Sequence, residues 1–167
     1  MKKILSIGIL VLIVSLVSGC DLINRRGTEA QREAVAIFEN LTAGMTSERV
    51  EQIITVNDVT TGIYHNGMII VDYNNDVAVL LELELSENRA EIRDSETVLT
   101  NAQSFVDRIN NNERVTYEEL YNSFNTSGIC TRKENNGCTR YEWADSRGRF
   151  VTVTITEGAV SALSGRL

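Results

Sequence analysis

Residues 141–162 read YEWADSRGRFVTVTITEGAVSA. An aromatic strand closes at Trp143, a polar turn follows, an alternating strand runs to Ile155, and a second turn at Glu157-Gly158 leads into a third strand. This is the pattern of an antiparallel meander. A shift of seventy residues towards the N-terminus lands on 71–92, VDYNNDVAVLLELELSENRAEI, where Tyr73 stands for Trp143 and Leu85 for Ile155. The correspondence runs without a gap from residue 45 to residue 92, so the chain reads as two copies of one small module.

The two-residue period assigns faces within each meander. In the first copy Val77, Val79, Leu81, Leu83 and Leu85 point one way, and Ala78, Leu80, Glu82 and Glu84 the other. In the second, Val151, Val153 and Ile155 match the first set, and Phe150, Thr152 and Thr154 the second. Helices are expected over the apolar face, which leaves the mixed face to solvent or a partner.

Each meander is preceded by two helical patterns. Thr28 with Gln31 reads as a capping box, and Ala30, Ala34, Ile37, Phe38 and Leu41 follow at helical spacing until Gly44. A shorter helix starts at Thr46, buries Val50, Ile53 and Ile54, and has Met45 placed as a hydrophobic staple. In the second copy Thr100 and Gln103 open a helix with Ala102, Phe105, Val106 and Ile109 on one face, and Thr116 with Glu119 forms the box of the short one. The expected fold is α+β: two tandem helix-helix-antiparallel-sheet modules, 28–97 and 98–167, with helices segregated to one side.

Met1 to Gly19 reads as an address. Lys2 and Lys3 precede an uncharged apolar run, Ile4 to Val17, too short for a spanning helix, and small residues lead to Cys20. Val17-Ser18-Gly19-Cys20 resembles the lipobox of bacterial lipoproteins, which implies cleavage of 1–19, a lipidated Cys20 and a tether over 20–27. The expected location is the bacterial cell membrane, lipid-anchored and facing outside the cytoplasm.

The formal net charge is -7 at pH 7, and losing Lys2 and Lys3 makes it two units more negative. Such a chain repels phosphate backbones and lacks the basic patch of a surface-bound membrane protein, so no nucleic-acid partner is expected. Cys130 and Cys138 remain as a pair in an exported chain, where disulfides persist. A bridge between them contributes about 2 to 3 kcal/mol in the loop-entropy view. A zinc site competes for these thiols, but the single histidine, His65, does not complete four ligands, and no metal or cofactor is expected.

Chemistry-bearing motifs are missing: there is no Gly-x-Ser-x-Gly elbow, phosphate loop or His-Glu-x-x-His pair. His65 reads as an exposed residue of the turn Tyr64-His65-Asn66-Gly67. Asp72–Asp76 has the opening of a calcium loop, but Val77 stands where glycine is needed and Leu83 where glutamate is, so a hairpin turn is the better reading. Glu82 and Glu84 share a strand face as an acidic, partner-facing edge.

Leu41-Thr42-Ala43-Gly44-Met45-Thr46, with Val50 and Ile54, resembles the Gly-Met-Thr helix start of the SmpA/OmlA (BamE-like) lipoproteins, and 141–162 resembles that group's final meander. Two modules in series, with a disulfide in the loop before the sheet, are similar to the tandem β-lactamase inhibitory proteins. The resemblance implies a non-enzymatic, lipid-anchored binding or assembly-scaffold protein with a protein partner. The surface expected to meet that partner holds Leu80, Glu82, Glu84, Phe150 and Thr152. The alternative is an inhibitor of an extracellular or periplasmic enzyme, with Tyr64 or His65 inserted into the active site.

Overall fold

The computed structural model describes residues 29–54, 62–65, 68–85, 93–95, 98–135 and 137–166. The signal segment, Cys20, the tether, Thr28, the Asn66-Gly67 turn and the third strand expected before Ile92 lie outside the described residues. The fold is α+β. Helix α1 (29–40) leads to α2 (Ser47–Ile54) and strands β1 (Ile63–Tyr64), β2 (Ile69–Asn74) and β3 (Val77–Leu83). Helices α3 (Val98–Asn110) and α4 (Tyr117–Phe124) then precede β4 (Ile129–Glu134), β5 (Gly137–Ala144), β6 (Phe150–Thr156) and β7 (Ala159–Arg166).

The local chemistry of the short helices is as the sequence predicts. Thr116 accepts from the Glu119 amide and Glu119 accepts from the Thr116 amide, a complete capping box, and Asn125 ends α4 in the left-handed region. At α2 the Thr46 hydroxyl accepts from the Arg49 amide. The longer α3 starts at Val98, so Thr100 sits inside its first turn and does not cap it. Asn75 and Asp76, both with positive φ, make the two-residue hairpin turn between β2 and β3.

Among the described residues, strands β1 to β7 form one antiparallel sheet in chain order. The two halves join where β3 meets β4, through Leu81↔Lys133 and Glu82↔Arg132. The seventy-residue spacing holds for α2 and α4 and for Tyr73 and Trp143, but β3 and β6 stand seventy-three apart. The reason is the turn, Asn75-Asp76 in the first half and Asp145–Arg149 in the second. The ungapped match is therefore corrected at this turn, and Tyr73↔Ala78 corresponds to Trp143↔Val151.

Face assignment in β3 is corrected too. Ala78, Leu81 and Leu83 are buried, whereas Val77 and Val79 are half-exposed. Asp72 pairs with Leu80 and Tyr73 with Ala78, which leaves Val79 as a bulge and breaks the two-residue period once. Ala78 is held from the other side as well, donating to Met45 O at 2.8 Å and accepting from Gly44 N at 2.8 Å. In β6 the period is unbroken between Val151 and Val153, both fully buried as expected.

Two apolar clusters follow. Ala34, Phe38, Leu41, Val50 and Ile54 pack on Tyr64, Ile69, Val71, Leu81 and Leu83. Val98, Ala102, Phe105, Leu120 and Phe124 pack on Trp143, Val151, Val153 and Val160. Both helix pairs lie on the same face of the sheet, and two further bulges make that possible. Cys138 is in line with Lys133 and Leu81, so an unbroken period along β5 would turn Trp143 away from the face that Leu81 occupies. Instead the pairing steps from Cys130↔Tyr141 to Arg132↔Arg140, omitting Thr131, and then to Lys133↔Cys138, omitting Thr139. Each bulge resets its own strand, and Trp143 faces the helices as Leu81 does. Cys130 on β4 and Cys138 on β5 are bonded across these bulges, so the disulfide lies within the sheet and not in a loop before it.

Candidate open-face binding site

The sheet face away from the helices carries a row of residues in register across six strands: Ile70, Glu82, Arg132, Arg140, Thr154 and Ala162. At its centre one carboxylate meets two guanidinium groups. Glu82 Oε1 lies 3.4 Å from Arg132 Nη1 and 3.6 Å from Arg140 Nη1. Arg132 Nε donates to Glu134 Oε1 at 2.8 Å, and Arg140 Nε donates to the buried Thr131 hydroxyl at 3.0 Å. With Glu82 28% and Arg140 29% exposed, the charges are partly shielded yet reachable. The pairing fixes side-chain direction more than it adds stability, since partly exposed pairs contribute about 0 to 1 kcal/mol.

Two shallow concavities flank this row. The larger, about 520 Å³, is lined by Arg132, Arg140, Cys138, Thr154 and Glu157 among others. The smaller, about 360 Å³, is lined by Val79, Leu80 and Asn135 and shares Arg132, Glu134 and Thr139 with the first. The Thr139 hydroxyl is buried and finds no hydrogen-bond partner among the described residues.

The residues expected to face a partner divide. Leu80, Glu82 and Thr152 are on the open face, Thr152 opposite Glu142, and Phe150 pairs with Ala144 on the same side, half-buried. Glu84 is exposed and follows the end of β3, its amide bonded to Met68 O at 2.8 Å. The acidic edge is corrected at Glu82, whose charge is met by Arg132 and Arg140.

Tyr64 and His65 do not project from the molecule. Tyr64 is 1% exposed in the first core, with its hydroxyl 2.9 Å from that of Tyr73. The His65 ring, expected to be exposed, is 11% exposed, with Nε2 3.0 Å from Ala30 O and 3.9 Å from Glu33. A positive φ of 51° at His65 turns the ring back towards α1.

Sequence reading missed Arg132 and Arg140. The signal was present: Cys-Thr-Arg occurs twice, at 130–132 and 138–140. Each tripeptide supplies one bridged cysteine, one bulged threonine and one arginine of the row.

The chain matches no protein-family model, and no curated protein is similar to it. Among the described residues no cluster of three or more His, Cys, Asp or Glu is placed to hold a metal ion, and no helix is long and apolar enough to cross a membrane.

Proposed function

We propose that this chain is a lipid-anchored lipoprotein of the bacterial cell envelope, built from a duplicated helix-helix-sheet module, that binds another protein without catalysing a reaction. The observation that carries the reading is the sheet face that no described helix covers. A sheet that is packed with helices on one side and keeps an ordered row of charged side chains on the other presents a broad, pre-formed surface. The lipobox at Val17–Cys20 supports the anchor, and the acidic balance favours a protein partner over nucleic acid. The two concavities fit protruding side chains better than a small substrate, because they are shallow and open, whereas small-molecule sites bury most of their ligand.

The test is capture from detergent-solubilised envelopes with the full-length protein as bait, beside a Glu82→Lys, Arg140→Glu variant of unchanged fold. A partner retained by the wild type and lost by the variant supports the open face. Equal capture by both sinks it. Loss of the membrane fraction in a Cys20→Ser variant tests the anchor separately.

A further inference from the structure

β7 is the last strand of the sheet. Among the described residues its outer side is met at Val160, whose amide donates to Val115 O at 2.8 Å. That bond fixes the direction of the rest of the strand. With the Val160 amide turned outward, Ile155↔Val160 is a pair without mutual hydrogen bonds, and alternation along β6 makes Val153↔Leu163 and Val151↔Gly165 the same. Leu163 and Gly165 therefore turn their N–H and C=O groups towards the open side. Ala162, Ser164, Gly165 and Arg166 are exposed, and Leu163 is half-buried. The usual guards of an edge are missing here: 162–165 carries no charge, the chain has no proline, and the bulge of β7 at Ser161 comes before this stretch.

We infer that this edge pairs with the same edge of a second copy of the chain, antiparallel about a two-fold axis, so that the two sheets run on as one. Two limits set the register. Val115 closes the edge at Val160, and a hydrogen-bonded pair needs an outward-turned residue on each strand. Leu163 opposite Gly165 of the second copy meets both limits, and symmetry repeats the pair. Ser164 then faces its own counterpart on the axis, and Arg166 faces Ala162. Large meets small on both faces: a Cβ at Gly165 would strike the Phe150 carbonyl oxygen, so nothing larger than glycine stands opposite Leu163. A register with Leu163 on the axis would instead bring Arg166 against Val160, where Val115 already stands. The axis is normal to the sheet, so the helices of both copies share one side and the open faces the other. The row that ends at Ala162 continues to Arg166 and Phe150 of the second copy. So short an edge falls below the roughly 800 Å² per partner of a stable interface, and the pair is weak in free solution. Both α1 helices start on the same side, which lets the proposed anchors reach one membrane, and a shared membrane raises the effective concentration. That gain rests on the lipoprotein reading; the pairing itself does not.

The experiment traps the pair as a disulfide. Full-length chains in detergent carry Ser164→Cys or Ser161→Cys, both at exposed positions, on a Cys20→Ser background; with Cys130 and Cys138 already bonded, the introduced thiol is the only free one. Salt at about 0.15 M screens the repulsion between two acidic chains. In the inferred register the two residues 164 stand about 4.5 Å apart between Cα atoms, within the span of a disulfide, whereas the two residues 161 stand about 20 Å apart. Under mild oxidation the Ser164→Cys chain should form covalent dimer about tenfold faster than the Ser161→Cys chain or more, with Trp143 emission unchanged in both. Equal rates would overturn the pairing, since random collision gives them, and so would the lack of any dimer. If solubilised envelopes are added and Ser164→Cys bonds another protein but never itself, the edge belongs to that protein's strand and the second copy is overturned as well. The dimer readout needs neither a lipid nor a partner at the open face, so failure of those readings shows separately, in the fractionation and capture experiments above.

Discussion

Lys133, on β4 in the second half of the chain, donates to the carbonyl oxygen of Phe38, at the end of α1 in the first half, over 2.7 Å. The same ammonium reaches Leu41 O at 2.6 Å and Glu39 O at 3.1 Å, and stands 5.0 Å from the Phe38 ring centre. One cation thus satisfies carbonyls that α1 leaves open at its C-terminal end and interacts favourably with the helix dipole. Burial lowers the Lys133 pKa, opposed by the nearby Glu39 charge. Arg93 makes a second tie between the halves, bonding Glu39 Oε1 at 2.9 Å and Gly128 O at 3.2 Å.

Lys133→Met keeps much of the aliphatic stem and removes every donor. The expected loss is about 2 kcal/mol, from charged hydrogen bonds whose acceptors are left behind. Urea unfolding measures it, and a midpoint equal to that of the wild type would remove the cap from the account of how the halves are joined.

Gly128→Ala is expected to disturb the only tryptophan. A Cβ there would stand 2.8 Å from Trp143 ring atoms, and the indole is fixed by its Nε1 donating to Thr126 O at 2.9 Å. Overpacking of this kind costs about 1 to 3 kcal/mol. Fluorescence should report a shifted Trp143 emission together with a lower melting temperature.

Asp145 sets an acid limit on stability. Burial pushes its carboxyl up, but the Arg149 side chain, the Arg149 and Arg147 amides and the guanidinium charge together outweigh burial and hold it below the usual range. The folded value is depressed, so the contribution is complete above the unfolded value of about 3.9 and is lost as pH falls through the folded one. Asp145→Asn lacks this contribution. The gap in melting temperature between wild type and variant should be widest above about pH 5 and narrow as pH is lowered; a gap that does not change with pH would contradict it.

Glu82→Gln separates binding from stability. The carboxylate is only partly shielded, so the variant should lose less than about 1 kcal/mol in urea unfolding. Capture by the open face should fall much further. A large stability loss with unchanged capture would make the row structural.

The legible part of the site was its alternation. Leu80, Glu82 and Thr152 were assigned to the mixed face by period two, and β6 obeyed that period. In β3 the bulge at Val79 exchanged Ala78 for Val77 and Val79, and no propensity marks a bulge in a run such as Val77–Leu83, where every inward or outward choice is apolar until Glu82. Tyr64 was misread because a Tyr-His-Asn-Gly turn is polar in composition, while the burial of Tyr64 depends on Tyr73 reaching its hydroxyl from a neighbouring strand.

Sequence alone determined the helices, strands β2, β3, β5, β6 and β7, the capping box at Thr116 and Glu119, the hairpin turn at Asn75-Asp76 and the pairing of Cys130 with Cys138, because these depend on residues within a few positions of each other or, with Cys20 set aside, on a count of two; β1 and β4 read as turn and loop in the sequence. Which face each half covers, the joining of two meanders into one sheet through Leu81↔Lys133, and the meeting of Arg132 and Arg140 at Glu82 were decided only by tertiary structure. The reason is parity. A single bulged residue reverses the direction of every side chain after it, and whether a strand bulges is settled by the strand beside it.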